Sequence, residues 1–183
     1  MTVPIIIYGS PVLRKHSEEV IEEDNIHEIA DELFDTLKNG EGIGLAAPQI
    51  NILKRVFIID TSPLIKDDIT LEKFKGIFIN PVIIDRDSEN IIYREGCLSF
   101  PDIFEEVNRP EKILVRYQDL LFNNHEEELD GIKARIFQHE YDHLEGILFI
   151  DKINLLRRKL LTGKLNKIKK MSKYKTDRKL NIS

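Results

Sequence analysis

Two histidines four residues apart, His139 and His143, lie in the stretch FQHEYDHLEG at 137–146. Four residues of α-helix advance about 6 Å and return to nearly the same face, so both imidazoles can grip one metal ion. Glu140 is turned about 100° from His139 around the axis. It can lean over an open position of the ion and take a proton from activated water, which is the logic of H-E-x-x-H. The plainer alternative is a polar helix with a hydrogen-bonded histidine pair. Asp142 falls on another face and is expected to be solvated or locally paired. Glu145, near the helix end, is a weaker ligand candidate, and Gln138 could support a neighbouring backbone or side chain.

A catalytic centre needs a third ligand and an open fourth position. No histidine follows His143, and the later acids are Glu145, Asp151 and Asp177. Glu145 is too near to form a separate arm, Asp151 sits at a helix start and Asp177 in a basic tail. The downstream ligand common in metallopeptidases with this motif is therefore missing. Upstream, the single cysteine, Cys97, stands in REGCLSFPD beside Gly96. A thiolate is a strong ligand for a borderline metal, and glycine permits close backbone approach. A free cysteine is also commonly just a small buried hydrophobe. Besides a metal-dependent hydrolase, the residues leave open a metallopeptidase, a cysteine hydrolase with Cys97 as nucleophile, and a non-catalytic metal-binding module. His27 and His125 read as surface residues.

These groups must be held by a chain of 183 residues, one domain on length, with the composition of a soluble protein: 42% hydrophobic and 32% charged. The N-terminus lacks the pattern of a signal peptide, and no run approaches the roughly 20 apolar residues of a membrane span. A lone cysteine favours the cytoplasm. Neither a membrane nor a DNA partner is expected. Residues 152–183 contain twelve Lys/Arg and one acid, against 15 basic and 31 acidic groups in the rest. We therefore read 1–183 as one catalytic domain, with a core at 1–151 and a basic C-terminal helix and tail at 152–183. The tail is either a solvated helix with a frayed end or an electrostatic dock for an anionic partner such as RNA.

Helical spacing of Ile26, Ile29, Ala30, Leu33, Phe34 and Leu37 predicts a first helix, capped by Asp24 or Asn25 and stopped at Asn39-Gly40. RVFIID at 55–60 reads as a buried strand. GIFINPVII at 76–84 reads as a strand interrupted or placed at an edge by Pro81. EKILVRYQDL at 111–120 reads as half-buried, and FNNHEEEL as a hairpin-like turn. DGIKARIFQHEYDHLEG reads as a second helix, capped by Asp130, stopped by Gly146 and buried round much of its circumference. A third helix follows Asp151 with Ile153, Leu156 and Leu160 inward. Helix, strands, helix, helix points to an α+β fold.

Three segments together, GIGLAAPQ (42–49), EGCLS (95–99) and QHEYDHLEG (138–146), resemble the signature motifs of peptide deformylases, in that family's order. The similarity runs from GSPVLRK to the C-terminal helix and is closer to the type I branch. It implies antiparallel or mixed sheets around a central metal-binding helix, with a C-terminal helix. The implied activity is removal of the formyl group from N-terminal formylmethionine of new proteins. The implied centre is one divalent ion on Cys97, His139 and His143, natively Fe²⁺, with Zn²⁺, Ni²⁺ or Co²⁺ able to substitute. The resemblance makes Glu140 the base, and the Gln49 side-chain amide and the Leu98 N–H oxyanion donors. Ile43, Gly42, Gly44, Glu95 and Gly96 would face the substrate, an N-formylmethionyl nascent peptide. The basic tail could dock on the ribosome. Many relatives carry an arginine seven residues after the motif cysteine, near the substrate mouth; here that residue is Phe104. Arg109 answers to another family arginine.

Overall fold

The computed structural model describes residues 2–66 and 73–180, with side chains for 2–65 and 73–172. In chain order the main elements are α1 (Ile26–Gly40), β1 (Gly44–Ala46), β2 (Val56–Asp60), β3 (Lys75–Arg86), β4 (Asn90–Gly96), β5 (Phe104–Pro110), β6 (Lys112–Gln118), β7 (Asn124–Asp130), α2 (Gly131–Leu144), α3 (Leu155–Leu160) and α4 (Thr162–Leu180). One antiparallel sheet has the order β1-β2-β3-β6-β7, and β4 and β5 form a separate antiparallel ribbon.

Strand β2 shows why the sheet is covered on both faces. Successive side chains on a strand point to opposite sides. Val56 and Ile58 pack with Leu33 and Leu37 of α1, whereas Phe57 and Ile59 pack with Phe137 and Leu144 of α2. Phe57, Phe78 and Phe137 form a triangle with ring centroids 5.0–5.1 Å apart, Phe137 meeting the other two edge-on. Such edge contacts add about 1 kcal/mol each beyond burial. They clamp α2 to the sheet, so the axis of the H-E-x-x-H helix is fixed by core packing. As expected, α2 is enclosed: residues 134–140 and 142–144 are all buried. Gly146 (φ 68°) turns the chain at its end, and a Cβ there would come within 2.6 Å of the Arg14 carbonyl oxygen.

The interruption of β3 falls where Pro81 predicts it. The pairing with β6 shifts register between Ile79 and Val82, and Asn80 adopts φ 48°. The Asn80 side chain accepts from the Val20 N–H and donates to the Val20 carbonyl and to Gln118.

Several elements differ from expectation. The left-handed residue after α1 is Glu41 (φ 54°), because Gly40 still belongs to the helix, and neither Asn25 nor Asp130 caps its helix through its side chain. Residues 124–130 form strand β7 rather than a turn, paired along the whole of β6. The ribbon strand β5 had no sequence signal of its own. Ile153 is buried as expected, but Leu156 and Leu160 are 67% and 69% exposed; the inward side chains are instead Leu161, just after α3, and Leu165 and Ile168 of α4, packed with Ile7, Leu13 and Phe149. The polar segment DTSPLIKDDITLEK at 60–73, which reads as a loop, lies partly outside the described residues, as does the extreme C-terminus of the basic tail.

Asp151 ties three segments together. It accepts from both terminal nitrogens of Arg14 and from the Leu148 N–H, and pairs with Arg158 at 3.3 Å. Burial opposes its charge, but the Arg14 bond and the Leu148 N–H outweigh it and hold the carboxyl below the ordinary aspartate range. A folded-state pKa below the unfolded one stabilises the protein above the unfolded value, and that stabilisation is lost as pH falls through the folded one. Asp151→Asn should therefore lower stability in urea unfolding by about 1 kcal/mol at pH 7. The gap from the parent should narrow as pH falls below the ordinary aspartate range; a gap that stays unchanged there would contradict the assignment.

Candidate active site

Helix α2 meets the end of β4 at the candidate site. Cys97 follows β4 directly, and its Sγ lies 3.3 Å from His143 Nε2. One donor atom each from Cys97, His139 and His143 lies within 4.8 Å of the others. Tetrahedral coordination at ordinary zinc–sulfur and zinc–nitrogen lengths needs donor separations of roughly 3.5 Å, so the three residues fit a single ion. The thiolate-plus-two-imidazole set suits zinc and also iron, cobalt or nickel.

The group behind the triad is Glu95. It is 6% exposed. Arg109 forks onto it, Nε to Oε1 at 2.6 Å and Nη2 to Oε2 at 2.9 Å, and Arg135 Nη1 donates to Oε1 at 3.0 Å. Glu95 Oε2 in turn stands 3.0 Å from His139 Nδ1. If Nδ1 donates there, Nε2 is left as the lone pair for an ion. Burial opposes the charge on Glu95, but the bonds from His139 and Arg109 hold the carboxyl well below its usual range. Arg109 also donates to Asp142 at 2.6 Å, and Lys152 approaches the other Asp142 oxygen at 3.3 Å. Asp142 is therefore neither solvated nor locally paired: it is 7% exposed and salt-bridged to a residue of β5. Glu95, expected at the substrate, is turned inward instead, because alternation along β4 sends it toward α2 while Arg94 and Gly96 take the other face.

Burial pushes the Glu140 carboxyl up to about 7; the charge on His139 draws it down, and that of Glu95 pushes it further up. Its Oε2 and His143 Nδ1 are buried side-chain atoms with no hydrogen-bond partner among the described residues. Glu140 thus carries an unpartnered carboxylate oxygen close to the Cys97, His139 and His143 donor cluster. Burial, and then the charges on His139 and Arg109, drive His143 well below the ordinary imidazole range. Burial also opposes the charge on His139, but bonds to Cys97 and Glu95 lift its pKa well above that range. The anionic neighbours thus favour a cation at this point.

The loop before β1 forms the facing wall. A Cβ on Gly44 would lie 2.5 Å from Glu140 Oε1, and Glu140 is too enclosed to move away. Gly42 has no room either, since its Cβ would meet Leu37 and Leu98 at 2.8 Å. Ile43 packs on the core cluster of α2. Gln49 accepts from the Ala46 N–H through Oε1 and presents Nε2 to Ser99 Oγ at 3.2 Å and to Cys97 Sγ at 3.5 Å. Leu98 adjoins Cys97 in the chain. Gln138 donates to the Pro110 and Ala134 carbonyls, Glu145 pairs with Arg55 and His16, and His27 and His125 are exposed. Arg135 and Asp142 were missed as supporting residues; their partners lie on the ribbon, 28 to 44 residues away.

Fold and site together define a metal-dependent amide hydrolase. The family model for polypeptide deformylase matches residues 2–159. The chain is 42% identical over 171 residues to a peptide deformylase of Cytophaga hutchinsonii, covering 93% of this chain and 92% of that one. A crystallised peptide deformylase of Plasmodium falciparum superposes with a TM-score of 0.85 at 39% identity, over 93% of this chain and 97% of that one. The Thermus thermophilus peptide deformylase gives 0.83 at 36%, over 93% and 99%. The chain belongs to the peptide deformylase family.

Neutralising Glu95 by Glu95→Gln leaves two buried guanidinium groups short of charge and His139 Nδ1 without a carboxylate. We expect a loss of about 3 kcal/mol in unfolding free energy and 10- to 100-fold weaker metal binding by competition with a chromogenic chelator. Unchanged metal affinity would show that Glu95 does not orient the ligand.

Proposed function

We propose that this protein hydrolyses the formyl amide of N-formylmethionyl nascent peptides in the cytoplasm, releasing formate and a free methionine amine, with Fe²⁺ as its native ion. The observation that carries this reading is the meeting of the Cys97, His139 and His143 donor atoms beside the unpartnered Glu140 carboxylate. The downstream ligand that a peptidase of this helix type would use is missing from the sequence. No helix among the described residues is long and apolar enough to cross a membrane, and the lone thiol suits a reducing compartment.

Cys97, His139 and His143 would hold the ion, which when bound lowers the pKa of water and polarises a carbonyl oxygen. Glu140 takes the proton of the attacking water and returns it to the leaving amine, base first and then acid; a carboxyl with a pKa near neutrality suits both steps. The Gln49 amide is fixed by the Ala46 N–H so that its NH₂ faces Cys97; with the Leu98 N–H it would stabilise the developing oxyanion. Strand β1 lies at the sheet edge, so the main chain around Gly44 can pair with an extended substrate whatever its sequence. Gly42, Ile43 and Gly96 border that path.

The test is formate release from a formyl-Met peptide. A strong chelator should abolish it, and anaerobic Fe²⁺ should restore more activity than Zn²⁺ in air. Glu140→Gln should keep its metal and lose at least about 100-fold in kcat. Full turnover by that variant refutes the base, and equal turnover by air-exposed zinc protein refutes the native iron.

The C-terminal segment suggests a second contact. Cations crowd α3 and α4, and Leu165 and Ile168 of α4 already pack on the body. We propose that this face docks on ribosomal RNA. Deleting the residues after 170 should weaken salt-sensitive ribosome binding while sparing turnover of a short peptide; unchanged affinity at low salt would sink the idea.

A further inference from the structure

A cavity of about 730 Å³ opens between the outer face of the β4–β5 ribbon and the start of the basic C-terminal segment. Ile92, Arg94 and Phe104 line it from the ribbon, and Lys152, Asn154 and Arg157 from the other side. Register explains the ribbon wall: Ile92 pairs with Asn108, Arg94 with Glu106 and Gly96 with Phe104, so these side chains share the face turned away from Glu95. Among the described residues, neither the Cys97, His139 and His143 cluster nor Glu140 borders this cavity. It is a place apart from the candidate centre, and of a size that holds a small-molecule group.

Two properties meet in it. The first is a flat stacking surface. Phe104 rests on Gly96, whose Cβ would lie 2.4 Å from a ring carbon, yet the residue is 56% exposed, and Ile92 beside it 62%. The Arg94 guanidinium carbon lies 5.5 Å from the Phe104 ring centroid, so a planar cation extends the aromatic platform. The second property is positive charge. Arg94, Lys152 and Arg157 face two acids, Glu105 and Glu106, and Glu105 is already neutralised by the Nε and Nη2 donors of Arg157. Asn154 caps α3 by accepting from the Leu156 N–H through Oδ1, which leaves its NH₂ as a donor. Beyond Lys152 the excess grows, with twelve Lys/Arg and one acid over 152–183.

An exposed ring beside a guanidinium plane, bordered by cations, is how single-stranded nucleic acid is held: a base lies on the flat surface and its phosphate meets the charges. We infer that this cavity seats one unpaired nucleotide of RNA, its base stacked on Phe104 and Arg94 and its phosphate held by Lys152 and Arg157. This rests on the reading that the α3–α4 face docks on RNA, and it adds a feature that charge alone does not give. A cationic helix binds any phosphate backbone, whereas a stacking seat favours a strand with a base turned out of its helix.

The chain contains no tryptophan, so Phe104→Trp in the full-length, metal-loaded protein puts a single indole on the platform. Its fluorescence is followed at low salt while a single-stranded oligoadenylate RNA decamer, a blunt RNA duplex of the same length, or AMP is added. The decamer should quench the indole, and the duplex should not. In anisotropy titrations of the labelled decamer, Phe104→Ala should bind about tenfold more weakly than the parent and Phe104→Tyr as well as the parent. The slope of affinity against salt should be the same in all three, because no cation has been removed. Decamer binding without quenching, or full affinity in Phe104→Ala, overturns the nucleotide seat while leaving RNA docking in place. AMP binding as tight as that of the decamer makes the occupant a free nucleotide and overturns it too. No binding of either RNA at low salt overturns both the seat and the docking.

Discussion

A carboxylate taken out of water stays ionised only if its neighbours replace the lost hydration, and Glu95 is the point on which this molecule meets that requirement. Two guanidinium groups and one imidazole converge on its two oxygens. Removing two opposite charges from water is offset only by tight geometry and complete hydrogen bonding. Arg109 has both, since its far side is neutralised by Asp142. The outcome is a chain of ionic hydrogen bonds, Asp142 to Arg109 to Glu95 to His139, ending on an imidazole of the candidate metal site. An imidazole that ligates through Nε2 must carry its one proton on Nδ1 and be correctly turned, and the carboxylate behind Nδ1 favours both conditions.

The chain of charges also joins two parts of the fold that share little else. Glu95, Cys97 and Arg109 come from the ribbon and the turn after it, while Arg135, His139, Glu140, Asp142 and His143 come from α2. The Phe57–Phe78–Phe137 contacts hold α2 against the large sheet, and the salt bridges hold the ribbon against α2. Cys97 is thereby brought within 3.3 Å of His143, a contact spanning 46 residues of sequence. Edge strand β1 closes the other side, and Gly44 is the residue that lets it approach the Glu140 carboxylate.

The clustering of the candidate site was legible in the sequence because helical periodicity alone puts His139 and His143 on one face with Glu140 beside them. The lone cysteine supplied the remaining donor once no later residue fitted. The α+β class followed from element order, and β2 from an unbroken apolar run. What escaped was set by partners distant in sequence. Asp142 looks like a solvated acid on any helix projection, and only Arg109, 33 residues away, makes it a buried one. Glu95 sits in a recognisable motif, yet its inward orientation depends on the parity of β4. Strands β5 and β7 carry Glu, Asn, His and Arg where strand patterns expect β-branched residues. Their registers are fixed by ladders with β4 and β6 and, in β5, by ion pairs on the buried face. The leucines of α3 misled because helical spacing identifies a stripe without saying whether anything covers it.

The central claim is that Glu95 holds the proton of His139 Nδ1, so that Nε2 faces the ion. Two-dimensional ¹H–¹⁵N NMR of the zinc-loaded protein, labelled with ¹⁵N in its histidine rings, tests it directly. The account predicts a slowly exchanging, strongly downfield proton on His139 Nδ1, with the ¹⁵N shift of Nε2 typical of a metal ligand. A proton on His139 Nε2, or metal ligation through Nδ1, would contradict it.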